Sequence, residues 1–182
     1  MPAVDCFQQK TVQFQMFNLK DLFGCSTRGK RLKSADRIAG ELPFVTAGET
    51  DTGISAFISN KVEVFGKNTI TIDMFGSAKY RNYQYGADDH IAVVHTEQLA
   101  KHAAIYVATA IHKVSNAGQF SYGRNFYAKD ADNLNILLPV KNNGINYELM
   151  EIFIRAIEKI VIKEVVEWAD KKITAARQVV QR

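Results

Sequence analysis

From Tyr147 to Gln181 the chain runs without glycine or proline, and at ~1.5 Å per residue these roughly 35 residues make a helical rod of roughly 50 Å. Ile154, Ile157, Val161, Val165, Trp168, Ala176 and Val179 recur along it at helical spacing. Glu151–Arg155 and Glu167–Lys171 stand in the favourable i,i+4 order. The pattern predicts one long amphipathic helix over 146–182, set off by KNNGIN from a body over 1–145. A rod this long exceeds what the body before it easily covers. Its apolar stripe therefore needs a second helix, from another copy or another protein, unless it folds back on its own body.

The body reads as short strands separated by turns, rich in β-branched and aromatic residues. TVQFQMF (Thr11–Phe17) alternates polar and apolar, and NLKDLF follows as a turn or short helix. LPFVTAGETDTGISAFIS reads as strand, turn, strand. KVEVFGKNTITIDMFG reads as a hairpin with Gly66, Lys67 and Asn68 at its tip. One helix is expected over Glu97–Val114 with Thr96 as N-cap. QFSYGRNF then reads as strand and turn, and NLNILLP (Asn133–Pro139) as a last strand closed by proline. The expected class is α+β: a β-rich body with one internal helix, then the long C-terminal helix.

Composition narrows the function. The 182 residues are 47% hydrophobic and 23% charged, enough for a real core in a soluble chain. No run approaches the ~20 apolar residues of a membrane span, and MPAVDCFQQK lacks the apolar segment of a secretory signal. Cys6 and Cys25 are too few for a disulfide framework or a zinc site. A reducing, cytoplasmic setting is expected. There is no GxxxxGK[ST] and no strand-linked GxGxxG. His102 and His112 are not at i,i+4, so no metal pair is expected. Asp88-Asp89-His90 reads as a turn at a strand start. Asp170-Lys171-Lys172 matches half of a nuclease signature but falls on the charged face of the long helix. No nucleophile, paired carboxylates, metal or cofactor site is evident, so the chain is expected to bind rather than to catalyse.

The charge is concentrated. TRGKRLKSADR carries Arg28, Lys30, Arg31, Lys33 and Arg37 against Asp36 alone, matching the net +4 of the whole chain. Clustered Lys and Arg give affinity for a polyanion by counterion release; the plain alternative is a solvated loop. A second cluster is DMFGSAKYRNYQYGADDHIAVV (Asp73–Val94). Its Gly76-Ser77-Ala78 turn has no bulky side chain and could let backbone approach a ligand. Strand alternation puts Lys79, Arg81 and Tyr83 on one face and Tyr80 and Asn82 on the other.

The order NLKDLF, GKRL, LPFVTAGETDTGISAFIS, ITIDMFGSAKY, FSYGR, NILLPV and a long helix resembles a target-recognition domain of type I restriction–modification specificity subunits, and of related type IIB and IIG enzymes. The resemblance covers nearly the whole chain. It is strongest at Asp73–Tyr80, Ile136–Val140 and the helix beyond. It implies a β-rich domain that reads half of a split double-stranded DNA target, and a spacer helix that packs on another such helix and holds a DNA methyltransferase subunit, with a restriction subunit as a further partner. Full specificity subunits carry two of each element. One of each implies a half-subunit pairing with itself as a homodimer, or part of a larger enzyme. Self-pairing through the helix implies two identical half-sites.

Candidates for the DNA face are Arg28, Lys30, Arg31 and Lys33 in the basic window, Thr50 and Thr52 in GETDTG, Ser77, Lys79 and Arg81, and Tyr122 and Arg124 in FSYGR. Each set is a loop beside a strand, where contacts are usually carried. The rival reading is a scaffold protein that works through its helix alone. A cryptic nuclease or phosphotransferase is the third.

Overall fold

The computed structural model describes residues 12–180, with side chains described through residue 174. Ten strands form three small sheets. The first joins β1 (Gln13–Asn18), β9 (Asn135–Lys141) and β10 (Gly144–Ile145), all antiparallel. The second has the order β2 (Thr27–Arg28), β8 (Ile91–Val94), β5 (Thr69–Asp73), β6 (Ala78–Arg81), again antiparallel. The third sets β3 (Ala39–Val45) between β4 (Ile54–Ile58) and a parallel β7 (Gly86–Ala87). The helices are α1 (Leu19–Phe23), α2 (Lys101–Ser115), α3 (Ala128–Asp132) and α4 (Tyr147–Val180). The expected α+β class is what forms.

The second sheet is the centre, and its alternation divides the core in two. Ile70 and Ile72 of β5, with Ala92 and Val94 of β8, face Ala103, Val107, Ala108 and Ile111 of α2. Ile91 and Val93 of β8 face the other way, onto Val45, Phe65, Tyr85 and Ala87. Every residue of β5 is buried, as befits a central strand covered on both faces. Asn18 caps α1, its side chain accepting from the N–H groups of Lys20 and Asp21.

Several local expectations are corrected. Residues 61–68 hold no strand, and Phe65 makes only an isolated bridge to Tyr85. Asn68 explains this: its amide donates to the carbonyls of Thr96, Glu97 and Leu99, tying the segment to the loop before α2 instead of folding it back. Thr96 is not an N-cap, because its hydroxyl donates to Asn68 O at 2.8 Å, and α2 starts only at Lys101. Pro139 does not end the last strand. β9 continues to Lys141, and Asn142 and Asn143, at φ 52° and 63°, turn it into β10. KNNGIN is therefore a hairpin turn; paired asparagines tolerate two successive left-handed residues. QFSYGRNF keeps only the bridge Ser121–Arg124.

Helix α4 begins where the sequence places it. Its first turns are part of the body. Met150 is fully buried, Ile154 is 8% exposed, and Phe153 meets Tyr106 of α2 edge-on with ring centroids 6.0 Å apart. The helix packs on the body over these turns and is held to α2 as far as Glu158, which meets His102 at 2.9 Å. Glu167 pairs with Lys163 at 3.7 Å, and Arg155 with Glu151 at 3.2 Å.

Candidate nucleic-acid interface

The basic window is a built loop. Gly29 donates to Ile91 O and packs so closely on the backbone of Ala87 and Asp88 that a Cβ there would collide with both carbonyls. Lys30 N–H donates to Ala87 O at 2.9 Å, and Leu32 N–H to the Asp88 carboxylate at 3.2 Å. Asn60 closes the far end, accepting from Ile38 N–H and donating to Asp36 O. Asp88, Asp89 and His90 are the one group among the described residues with metal-ligand spacing. Asp88 is used by Leu32, and Asp89 pairs with Arg28 at 3.3 Å. These carboxylates fasten the loop.

The cations of this window divide by commitment. Arg28 lies over the Tyr127 ring, 5.1 Å from its centroid, with Nε on Asp89 O at 2.7 Å. Arg37 spans Leu32 O and the Ser55 hydroxyl and covers the Phe44 ring. Lys30 is exposed and 3.6 Å from Glu63. Arg31 and Lys33 are exposed and have no partner among the described residues.

The turn Asp73–Ala78 runs inward. The Asp73 carboxylate accepts from the N–H groups of Phe75, Ser77 and Gly48. Gly76, at φ 86°, fits against the end of α2, where Ser115 Oγ donates to its carbonyl at 2.6 Å. A Cβ on Gly76 would collide with the Ser115 carbonyl. The small residues therefore admit a helix end and no external ligand. Ser77 is buried, its hydroxyl accepting from Lys79 Nζ at 2.8 Å. Lys79 is engaged with Glu49 at 3.1 Å and lies 3.9 Å from Asp73.

Arg81 is 2% exposed. It donates to Thr71 Oγ1 and Tyr83 Oη, both at 2.9 Å, and to Thr52 Oγ1 at 3.4 Å, with Tyr85 beneath. Lys79 and Arg81 do share a face, but that face is covered by the third sheet and the turn after β3. Ser77, Lys79 and Arg81 support the surface from below and do not line it.

The other candidates lie outside. Thr50 and Thr52 are exposed in the turn between β3 and β4. Tyr122 is 85% exposed and meets Phe75 edge-on at 5.1 Å. Arg124 is half exposed, pairs with Asp130 at 2.8 Å and covers the Phe120 ring. Contacts join these loops: Glu49 to Lys79, Phe75 to Tyr122, Met74 O to Phe126 N–H, and Tyr127 to Arg28. Asp51, between the two threonines, escapes a search for cations and hydroxyls. Its signal was its place in GETDTG.

Electrostatics fit a pre-set support. The Ser77 hydroxyl, then Lys79, hold the Glu49 carboxyl below its ordinary range against the effect of burial. Burial raises the Asp130 carboxyl, but hydrogen bonds from Arg124 and the Tyr127 N–H outweigh it and hold it low. Burial pushes the Tyr85 phenol far up, so it stays a neutral partner of Thr69 at 2.9 Å.

On the helix, Ile154 is already covered by the body. Ile157, Val161, Val165 and Trp168 are exposed, Trp168 to 62%, with Ile162, Val166 and Ile173 beside them. Ala176 and Val179 fall outside the residues whose side chains are described.

A family model described as type I restriction modification DNA specificity domain matches residues 11–167. The chain is 26% identical over 164 residues to the specificity subunit S.BcgI of a type II restriction enzyme from Heyndrickxia coagulans, covering 87% of this chain and 47% of that one. It thus spans about half the length of the curated relative it matches. The S subunit of a type I restriction–modification system from M. genitalium shares the fold at TM-score 0.60 and 16% identity, over 90% of this chain and 43% of that one. The HsdS subunit from Thermoanaerobacter tengcongensis does so at TM-score 0.53 and 16% identity, over 82% and 38%.

Proposed function

The chain belongs to the type I restriction modification DNA specificity domain family, and from that premise we propose that its β-rich body reads one part of a duplex DNA target while α4 recruits the protein that acts there. The observation that carries this reading is the pair Arg31 and Lys33. Both are exposed and without a partner among the described residues, on a loop whose backbone is fastened by Gly29, Leu32 and Asn60. A loop fastened by the carboxylates of Asp88 and Asp89, with Arg31 and Lys33 left to solvent, is suited to phosphate. Arg28, Lys30, Thr50, Thr52, Tyr122 and Arg124 extend the surface.

On this reading the chain is a specificity subunit, or half of one, with no catalytic activity of its own. A methyltransferase subunit, with or without a restriction subunit, supplies the chemistry. The exposed apolar face of α4 beyond Ile154 supports association with a second helix. Two copies would pair antiparallel through it and present two identical half-sites. Among the described residues no helix is long and apolar enough to cross a membrane. Work on DNA in the cytoplasm agrees with that.

The test is binding to a mixed-sequence duplex as a function of salt. Arg31→Glu with Lys33→Glu should weaken binding and lower the slope of log K against log salt by roughly 2. An unchanged slope would leave the body a scaffold and return the function to the helix.

A further inference from the structure

Asp51 stands at the tip of the turn Thr50–Gly53, between β3 and β4. It is exposed, and among the described residues its carboxylate makes no hydrogen bond or ion pair. The nearby acids are engaged: Glu49 with Lys79, and Asp73 with three backbone N–H groups and Lys79. Asp36 in the basic window is likewise exposed with no partner for its carboxylate among the described residues, but Asp51 is the free acid held in a backbone turn of left-handed residues.

The turn is held in an unusual shape. Asp51 and Thr52 sit at φ 47° and 57°, two successive left-handed residues. Aspartate tolerates this region; a β-branched threonine enters it under strain. Such strain persists only when the surroundings over-determine it. Here Thr46 N–H donates to Gly53 O at 2.9 Å, Gly48 is fixed to Asp73, and Arg81 reaches the Thr52 hydroxyl from below. Gly53, at φ 85°, lies against Thr46 O with no room for a side chain. The buried guanidinium thus acts as a positioning group for the two exposed residues above it.

A free carboxylate facing DNA repels phosphate, so it is out of place in a loop that merely grips the backbone. It can only accept hydrogen bonds. In the major groove the matching donor for Asp or Glu is the N4 amino group of cytosine. We propose that Asp51 reads a cytosine through that amino group, with its orientation fixed by the strained turn and by Arg81. The proposal rests on the DNA-reading function above.

The experiment is selection of randomised duplexes by the full chain, wild type against Asp51→Asn and Asp51→Ala, with thermal melting of all three. Asparagine is at ease at φ 47°, so the turn and the melting temperature are kept. One cytosine position of the wild-type motif should shift toward adenine in Asp51→Asn, because an amide matches adenine N6 and N7. It should lose its preference in Asp51→Ala. Discrimination there should fall about 5- to 150-fold, the equivalent of ~1–3 kcal/mol. Affinity for mixed-sequence duplex should rise in both variants as the repulsion is removed. An identical motif in all three proteins, or relaxation only where the wild type does not select cytosine, overturns the assignment. A wild type that enriches no motif sinks the DNA-reading function itself, a separate and recognisable result.

Discussion

His102 Nε2 of α2 lies 2.9 Å from the Glu158 carboxylate of α4, across 56 residues of sequence. Arg155 donates to the other ring nitrogen at 3.3 Å and pairs with Glu151 at 3.2 Å. Together with Met150 and Ile154 beneath, this clasp sets the direction in which the rest of α4 leaves the body. The free half of the helix is aimed by contacts that its own sequence periodicity does not reveal.

The clasp dictates where the helix can be cut. A chain ending near Asn146 loses Met150 and Ile154, each worth ~2–5 kcal/mol in a core, against a total stability of ~5–15 kcal/mol. It should unfold rather than yield a monomer. A chain ending after Glu158 keeps both residues and the clasp. It should melt near the full chain and, by sedimentation, remain monomeric and fail to bind partners. Persistent dimers of that shorter chain would put the interface on the body. His102→Ala in the full chain should cost only about 1 kcal/mol, or ~2–4 °C in melting temperature.

Arg81→Met removes a buried guanidinium and leaves the hydroxyls of Thr71 and Tyr83 without their donor. The expected loss is about 1–3 kcal/mol in urea denaturation. Arg81→Lys should recover little, since an ammonium group cannot reproduce the planar fork that spans three hydroxyls. The salt slope of DNA binding should stay at the wild-type value in either variant. A reduced slope would mean that Arg81 touches phosphate after all.

Gly76→Ala tests whether the Asp73–Ala78 turn serves packing. The new methyl meets the Ser115 carbonyl at a positive φ. Destabilisation should exceed about 1 kcal/mol, with α2 and the turn losing amide-exchange protection together. A variant as stable as wild type would show that the helix end can yield.

Asp130 gives a pH signature. Its folded carboxyl is held low: burial opposes this, and the bonds from Arg124 and Tyr127 N–H prevail. A depressed carboxylate stabilises the fold above the ordinary aspartate range of ~4. That contribution fades as pH falls through the folded value. The protection of the Tyr127 amide, its exchange compared with the intrinsic rate at each pH, should therefore fall in acid, and Asp130→Asn should show low protection that stays flat across the same window. A flat wild-type profile would refute the role of this carboxylate in ordering the Tyr122–Arg124 loop.

Much of this architecture was legible in the residues. The absence of glycine and proline after Tyr147 dictates one continuous helix, since nothing in that stretch interrupts backbone hydrogen bonding. Alternation in AKYR settles that Lys79 and Arg81 share a face, because successive side chains on a strand must point oppositely. The concentration of charge in TRGKRLK is likewise sequence alone. What alternation cannot decide is which face is covered. The third sheet and the turn after β3 close over Lys79 and Arg81, and the end of α2 closes over Gly76, so residues that read as ligand contacts became supports. The free carboxylate of Asp51 also follows from tertiary structure: the flanking Glu49 found Lys79, thirty residues on, while Asp51 met no cation among the described residues. Local periodicity fixes relative orientation within an element; burial and charge pairing are properties of how elements pack.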